Sequence, residues 1–297
     1  MNKFIGQLLF IILLLSIAAS ACTPASGQPG QPVPTLGPTG QPPTIDPNAT
    51  RPPIGEMALI PAGTFTMGHS ADQGLAECKK HREDCERVWF IVEEPAHSVE
   101  LPAFYMDVYE VTNGAYKACE TAGKCKPPRL SSSATHTEYY GNAQFDNHPV
   151  INVDWESAKT YCEWRGARLP TEAEWEKAAR GVDGRTFPWG EGIDTTRTNY
   201  FDSKLGDPLA VGSYETGKSA DGLYDMAGNV WEWMSDWYEA YPGGSPSASP
   251  DFGQKTRTLR GGAFLDPGNS LQSAFRGGLD PTRSFGNIGF RCARNAE

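Results

Sequence analysis

The sequence predicts a single α+β domain with little regular secondary structure. The 297 residues include 32 glycines and 24 prolines, a density that indicates short elements joined by many turns. Eight tryptophans, eleven tyrosines and thirteen phenylalanines supply bulky side chains for a core. Capped helices and several short strand-like segments, described below, predict that helices and strands share this one domain.

Residues 1–21 have the organisation of a cleavable signal peptide. Lys3 precedes an apolar segment centred on residues 10–15, and small residues lead to Cys22. The apolar segment is short for a membrane-spanning helix with its own flanks. The residues Ala19-Ser20-Ala21-Cys22 resemble a bacterial lipobox, which implies that cleavage leaves a lipidated cysteine. The alternative is an ordinary signal peptide followed by a chance cysteine.

Residues 22–54 are predicted to form a lipidated N-terminus and a disordered linker. The segment is rich in proline, glycine, glutamine and threonine and has almost no apolar side chains, so it cannot bury a core. Acyl chains at Cys22 would hold the folded domain, predicted at residues 55–297, to the outer face of the cell membrane or the cell surface. The net charge of −10 argues against nucleic acid as a partner, because no basic surface would neutralise phosphates.

The other six cysteines are an even number, which is typical of disulfides in an oxidising compartment. Their spacing predicts Cys78–Cys85 and Cys119–Cys125 as bridges across short polar loops. It predicts Cys162–Cys292 as a bridge across a long stretch of chain. The alternative for the first pair is a metal site that adds His81, but this loop has no second cluster of ligands.

The first half of the domain contains segments typical of short strands. Residues 57–68 predict two strands separated by a Pro-Ala-Gly turn, and residues 97–111 predict further strand structure. The polar residues 69–92 between them predict a surface insertion. Thr112 predicts the N-cap of a helix that Gly123 ends.

The centre of the domain predicts a strand followed by two helices. Residues 150–153 predict the strand, and Asp154 predicts the N-cap of a helix over residues 155–165 that Gly166 ends. Thr171 and Glu174 have the spacing of a capping box, which predicts a second helix that begins after Thr171 and ends at Gly181. Beyond these helices, an aromatic centre is predicted at residues 225–237, and closing strands at residues 259–264 and 288–292.

Seven short motifs follow one another along the domain: IPAGTFTMG, HPVINVDW, RLPTEAEWEKAARG, FPWG, DMAGNVWEW, LRGGAF and FR with NIGFR. In this order they resemble the formylglycine-generating-enzyme family, also called the sulfatase-modifying factor family. The resemblance extends from about Ala58 to Arg294. It implies a single α+β domain of C-type-lectin-like topology, in which Cys162–Cys292 looks like a disulfide that the family uses.

The resemblance implies an oxidase that converts a sulfatase cysteine to formylglycine, using dioxygen and copper(I) held by two cysteines. Two thiolates are soft ligands that suit copper(I). Residues 263–275, where the family has this pair, contain no cysteine, and Asp266 occupies the expected first position. Ala263 stands where the resemblance implies a serine. Copper is therefore not expected, unless a loop brings another cysteine to the site.

The resemblance also implies a structural calcium site built from carboxylates and backbone carbonyls, the hard oxygen ligands that calcium prefers. The matching positions are Asp225, Gly228, Val230 and Glu232, with a weaker second site at Asn199 and Tyr200. The alternative is that the aspartate caps a turn and the glutamate forms a salt bridge.

Polar residues around the missing cysteine pair are candidates for a ligand groove. They are Asp266, Asn269, Arg276 and Asn287. The alternative for Arg276, and also for Arg291, is a buried ion pair. The three tryptophans of residues 231–237 could stack on a ligand, but such aromatic side chains usually belong to the core.

Two function hypotheses follow from these features. The first is a non-catalytic binding or accessory module, displayed on the cell surface and contacting the membrane only through its lipid anchor. Its ligand would be a protein, a peptide or a glycan. The second is a divergent oxidoreductase of the same family that acts on a protein or a small thiol substrate. The missing cysteine pair favours the first hypothesis.

Overall fold

The computed structural model of the protein describes residues 55–296. The predicted signal peptide, the predicted lipidation site Cys22 and the predicted linker lie outside the described residues. Within the described range, no helix combines the length and the apolar character needed to cross a membrane.

Short strands in the described range form three separate sheets. In chain order the strands are β1 (Met57–Ile60), β2 (Gly63–Met67), β3 (His97–Leu101), β4 (Phe104–Asp107), β5 (Trp231–Trp237), β6 (Arg257–Arg260), β7 (Arg276–Leu279), β8 (Ile288–Gly289) and β9 (Ala293–Asn295). The sheets have the orders β1–β4–β9, β2–β3 and β7–β6–β5–β8. The strand pairs are antiparallel except β5 with β8.

The helical elements of the described range are also short. The α-helices are α1 (Ala71–Cys78), α2 (Asn113–Thr121), α3 (Trp155–Trp164) and α4 (Glu172–Arg180). Short 3-10 helices occur at Arg87–Glu93, Ala143–Phe145, Phe201–Ser203, Glu215–Gly217 and Gly268–Leu271. Long loops connect these elements, as the glycine and proline content predicts.

The predicted caps of the central helices are present. At the start of α3, the Asp154 carboxylate accepts a hydrogen bond of 2.8 Å from the backbone N–H of Ser157. At the start of α4, the backbone N–H of Thr171 donates to Glu174 at 2.8 Å, and the N–H of Glu174 donates to the Thr171 hydroxyl at 3.2 Å. Gly181 follows α4 with a φ of 67°, a conformation that favours glycine.

Strand β5 lies between two clusters of buried side chains. Adjacent strand residues point to opposite faces, so Trp233 joins the cluster that contains Cys162 of α3, and Met234 joins the cluster that contains Trp175 of α4. These four side chains are fully buried. The two central helices therefore pack near opposite faces of the strand that carries Glu232.

The six cysteines of the described range form the three predicted disulfides, Cys78–Cys85, Cys119–Cys125 and Cys162–Cys292. Because Cys78 and Cys85 are bonded to each other, they cannot serve as the ligands of the alternative metal site. His81 Nε2 lies 3.2 Å from Glu77 Oε1. The long-range bond ties α3 to the residue before β9. Three disulfides indicate that this domain folds in an oxidising setting.

Two predictions of local structure were wrong. Residues 150–153 are buried but form no strand, and their neighbourhood contains only an isolated bridge between Thr112 and Pro149. Their apolar run reflects burial in the core, because periodicity alone does not separate a buried strand from a buried loop. The predicted surface insertion of residues 69–92 contains α1, which a Ser70–Gln73 capping box begins, and Phe90, which is fully buried.

Candidate functional site

Asp266 lies in the loop after β6 and is held by hydrogen bonds to two other segments and to its own loop. Its Oδ2 accepts from Trp231 Nε1 at 2.8 Å and from the backbone N–H of Ala263 at 3.0 Å. Its backbone carbonyl accepts from the N–H of Phe201 at 3.0 Å. No hydrogen bond from the described residues reaches Oδ1.

These contacts bring together a small surface that we call the Asp266 face. It consists of Phe201, Trp231, Leu265, Asp266 and Asn287. The backbone N–H of Trp231 donates to the carbonyl of Asn287 at 2.9 Å, so Trp231 connects the two predicted groove residues. Phe201 and Leu265 expose 59% and 53% of their surface, and a backbone hydrogen bond and chain adjacency respectively place them next to Asp266.

The electrostatics of Asp266 follow from its partial burial. Burial raises the pKa of the Asp266 carboxyl above its usual range, and the hydrogen bonds from Trp231 and Ala263 offset part of this rise. The Asp266 carboxylate is a hydrogen-bond acceptor that is partly shielded from solvent. It does not fit copper(I), because the position holds a hard oxygen ligand and the six described cysteines are all in disulfides.

The other two predicted groove residues are buried away from solvent. Arg276 is 3% exposed and donates Nε and Nη2 to the Glu172 carboxylate at 2.7 and 2.6 Å. Its Nη1 donates to two backbone carbonyls. Arg276 is therefore part of a buried ion pair, as the alternative interpretation predicts, and does not line a ligand groove. Asn269 is 4% exposed, and its Oδ1 has no hydrogen-bond partner among the described residues.

The loop predicted to bind calcium runs into β5. Both Glu232 oxygens are engaged, by Arg291 at 2.7 Å each and by Trp175 Nε1 at 2.9 Å. The Glu232 side chain therefore forms the salt bridge of the alternative interpretation, and its role as a calcium ligand stays a prediction. Asp225, which accepts from the backbone N–H of Gly212 at 2.6 Å, and the backbone carbonyls of the loop stay candidate ligands.

Sequence reasoning missed a third carboxylate at this loop. Glu110 is 1% exposed and accepts hydrogen bonds from Asn229 Nδ2 at 2.6 Å and from the N–H of Val230 at 3.2 Å. Burial raises its pKa well above the ordinary value, and the negative charges of Asp225 and Glu232 raise it further. The only signal in the sequence was a glutamate within an apolar segment, which does not identify its neighbours.

The weaker calcium prediction concerns Asn199 and Tyr200. Asn199 is 1% exposed, its Nδ2 donates to the carbonyl of Asp207 at 2.9 Å, and its Oδ1 has no described partner. The Tyr200 carbonyl accepts from the N–H of Ser203. Over residues 55–296, no group of three or more His, Cys, Asp and Glu side chains is arranged to hold a metal ion. Calcium binding stays a prediction at both sites.

Comparison with known proteins gives this geometry a family context. The Sulfatase-modifying factor enzyme 1-like domain matches residues 41–296. The formylglycine-generating enzyme of Streptomyces coelicolor is 32% identical over 311 residues, which covers 86% of this chain and 93% of that protein. The serine/threonine-protein kinase Pkn1 of Chlamydia trachomatis is 34% identical over 265 residues, which covers 83% of this chain but only 39% of that protein.

A solved structure shares the fold. PvdO from Pseudomonas aeruginosa superimposes with a TM-score of 0.62 at 27% identity, covering 81% of this chain and 94% of that one. The predicted fold class is confirmed as an α+β domain of the formylglycine-generating type with modest regular secondary structure, and the C-type-lectin-like topology stays a prediction. The chain belongs to the sulfatase-modifying factor family.

Proposed function

We propose that this domain is a non-catalytic binding module at the outer surface of the cell, and that the Asp266 face binds an extended peptide segment of a partner protein. One observation carries the proposal. An aspartate, hydrogen-bonded through Oδ2 to Trp231 and Ala263, stands where the family resemblance expects a copper-binding thiolate.

The chemistry of the Asp266 face suits a peptide. Phe201 and Leu265 offer large exposed apolar surfaces, whose burial against apolar side chains would drive association. Asp266 Oδ1 can accept a hydrogen bond from a backbone N–H of the bound segment. The face suits a sugar less well, because the indole N–H of Trp231 already donates to Asp266 and cannot donate to a sugar hydroxyl.

The position of the domain outside the cell rests on the lipobox-like residues before Cys22 and on the three disulfides. A Cys22→Ser variant should fail to incorporate labelled fatty acid and should leave the membrane fraction. If the variant incorporates as much labelled fatty acid as the wild type, the proposed lipid anchor at Cys22 is contradicted.

The second candidate function is a divergent oxidoreductase. It is favoured by the 32% identity to a formylglycine-generating enzyme over 93% of that enzyme's length. The two functions are separated by incubating the protein with copper(I), dioxygen and a Cys-x-Pro-x-Arg peptide, then measuring the peptide by mass spectrometry. We expect an unchanged cysteine; turnover to formylglycine would establish the second function.

Binding is tested with the same peptide carrying serine in place of cysteine, and with a peptide library of hydrophobic seven-residue segments. Titration by fluorescence polarisation should detect binding to members of the library. The double variant Phe201→Ala/Leu265→Ala should bind them at least tenfold more weakly. Val182→Ala changes a side chain that is 72% exposed outside the Asp266 face and serves as the matched control.

The outcome is decisive in either direction. Equal binding by the wild type and the Phe201→Ala/Leu265→Ala variant, or no binding of any library member, would contradict a peptide site at the Asp266 face. Circular dichroism of the variants checks that the substitutions, which lie at exposed positions, leave the fold intact.

A further inference from the structure

A cavity of about 250 Å³ shares no residue with the Asp266 face. It lies between α1, the C-terminal end of α4 and the loops of residues 184–191 and 272–274. Pockets for drug-sized ligands have volumes of roughly 300–1,000 Å³. The size of this cavity therefore suits a smaller molecule.

The inner wall of the cavity is formed by cationic side chains. His69 is 8% exposed, and its Nε2 lies 2.8 Å from Glu93 Oε2. Arg180 is 7% exposed and donates to the carbonyls of Gly68 at 2.8 Å and Gly184 at 3.1 Å. Its Nε has no hydrogen-bond partner among the described residues. His69 and Arg180 both line the cavity, so an anionic group on a bound molecule would be attracted to this wall.

The charges behind this wall are balanced. Three arginines, Arg180, Arg260 and Arg276, face three carboxylates, Glu93, Glu172 and Glu176, and His69 completes the network. Protonation of His69 makes this network net positive. The inner end of the cavity therefore favours an anionic group over a cationic one, in contrast to the carboxylate-rich loop at Glu110.

Two carboxylates also line the cavity. Glu77 is 5% exposed and pairs with Lys80, whose side chain is 60% exposed, and Glu191 is exposed. Because the Lys80 side chain lies mostly in solvent, an ammonium group on a ligand can replace it at the Glu77 carboxylate.

We propose that this cavity binds a small zwitterion of the amino-acid type, with its carboxylate at Arg180 and His69 and its ammonium group at Glu77 and Glu191. The cationic side chains of Arg180 and His69, which line the cavity, attract the carboxylate. The balanced network beneath them prevents repulsion of the anion, and Glu77 and Glu191 orient the molecule. This site is independent of peptide binding at the Asp266 face.

The proposal is tested on the full domain with the twenty common amino acids as probes. Each is added at millimolar concentration and the melting temperature is measured. The amino acid with the largest shift is then compared by calorimetry with its methyl ester, which lacks the carboxylate, and with its deaminated analogue. We expect each analogue to bind at least tenfold more weakly than the amino acid.

A cavity-filling variant provides the structural control. Ala76 is exposed and lines the cavity mouth, so Ala76→Phe should block binding without disturbing the core. Ala118→Phe, at an exposed position of α2, is the matched control and should bind like the wild type. The proposal is overturned if no amino acid shifts the melting temperature, if either analogue binds equally well, or if Ala76→Phe retains full affinity.

Discussion

Arg291 lies against Glu232 with Nε–Oε2 and Nη2–Oε1 distances of 2.7 Å each, and neither side chain is exposed to solvent. Trp175 of α4 donates to the same carboxylate, and Arg291 also donates to the backbone carbonyls of Asp107 and Tyr224. The pair therefore joins β5 to the end of β4, to α4 and to the last part of the chain. It is a structural centre of the domain.

Removing one partner of this pair should be strongly destabilising. Arg291→Met or Glu232→Gln leaves a buried group without its partner, which costs about 3–5 kcal/mol of unfolding free energy. The double variant Glu232→Gln/Arg291→Met should lose less than the sum of the single losses, because it leaves no lone charge. Urea unfolding followed by tryptophan fluorescence measures each value.

The matched control is the exposed pair between Lys159 and Glu156, with a nitrogen–oxygen distance of 3.4 Å. Lys159→Met should change the unfolding free energy by no more than about 0.5 kcal/mol. A similarly small loss in Arg291→Met would show that the buried pair does not hold these segments together.

Calcium, if it binds the loop at Asp225, should raise the melting temperature. At a hundredfold excess over Kd the stabilisation is about 2.7 kcal/mol, or roughly 5–10 °C for a domain of this size. EGTA should remove the shift and added calcium should restore it. Asp225→Ala should abolish the response, whereas the exposed Asp251→Ala should keep it. A wild-type melting temperature unaffected by EGTA and by calcium contradicts the calcium prediction.

The long-range disulfide should contribute more to stability than a short one. Cys162 and Cys292 are 130 residues apart, and the chain-entropy model gives about 5 kcal/mol for that loop. Cys119 and Cys125 are 6 residues apart, which gives about 2 kcal/mol. Urea unfolding of the Cys162→Ala/Cys292→Ala and Cys119→Ala/Cys125→Ala variants measures both losses. Equal losses would show that loop closure does not govern the difference.

The pair of His69 and Glu93 should make stability depend on pH. Burial lowers the pKa of His69, but the hydrogen bond and charge of Glu93 outweigh this and leave it raised. The folded state then holds the proton more tightly than the unfolded state. This contribution is fully present below the unfolded pKa of about 6.5, and it is lost as pH rises through the raised folded pKa.

A His69→Gln/Glu93→Gln variant cannot take up this proton, so its unfolding free energy should fall less steeply above about pH 6.5. The measurement is urea unfolding at several pH values from about 5.5 to 8.5. His136→Gln, which removes a half-exposed histidine elsewhere, should keep the wild-type slope. Identical slopes in the wild type and the glutamine pair would rule out this contribution.

The candidate site was only partly predictable. The motif order predicts that Asp266 stands where a thiol is expected, and in the structure Trp231 connects Asp266 to Asn287. The sequence did not indicate that Phe201 and Leu265 are exposed beside them, since an apolar residue in a loop looks the same whether it is buried or not. Arg276 was placed in the groove, but Glu172, 104 positions away, holds it in the interior.

By itself the sequence determined the features that depend on neighbouring residues. The caps at Asp154 and Thr171 join residues only three positions apart, and the glycine after α4 acts through its own φ. Tertiary structure alone decided which distant groups meet: β1 pairs with β4 and not with β2, and Glu232 pairs with Arg291, 59 positions away. Such contacts depend on where the folded chain returns, and that is set by packing of the whole core.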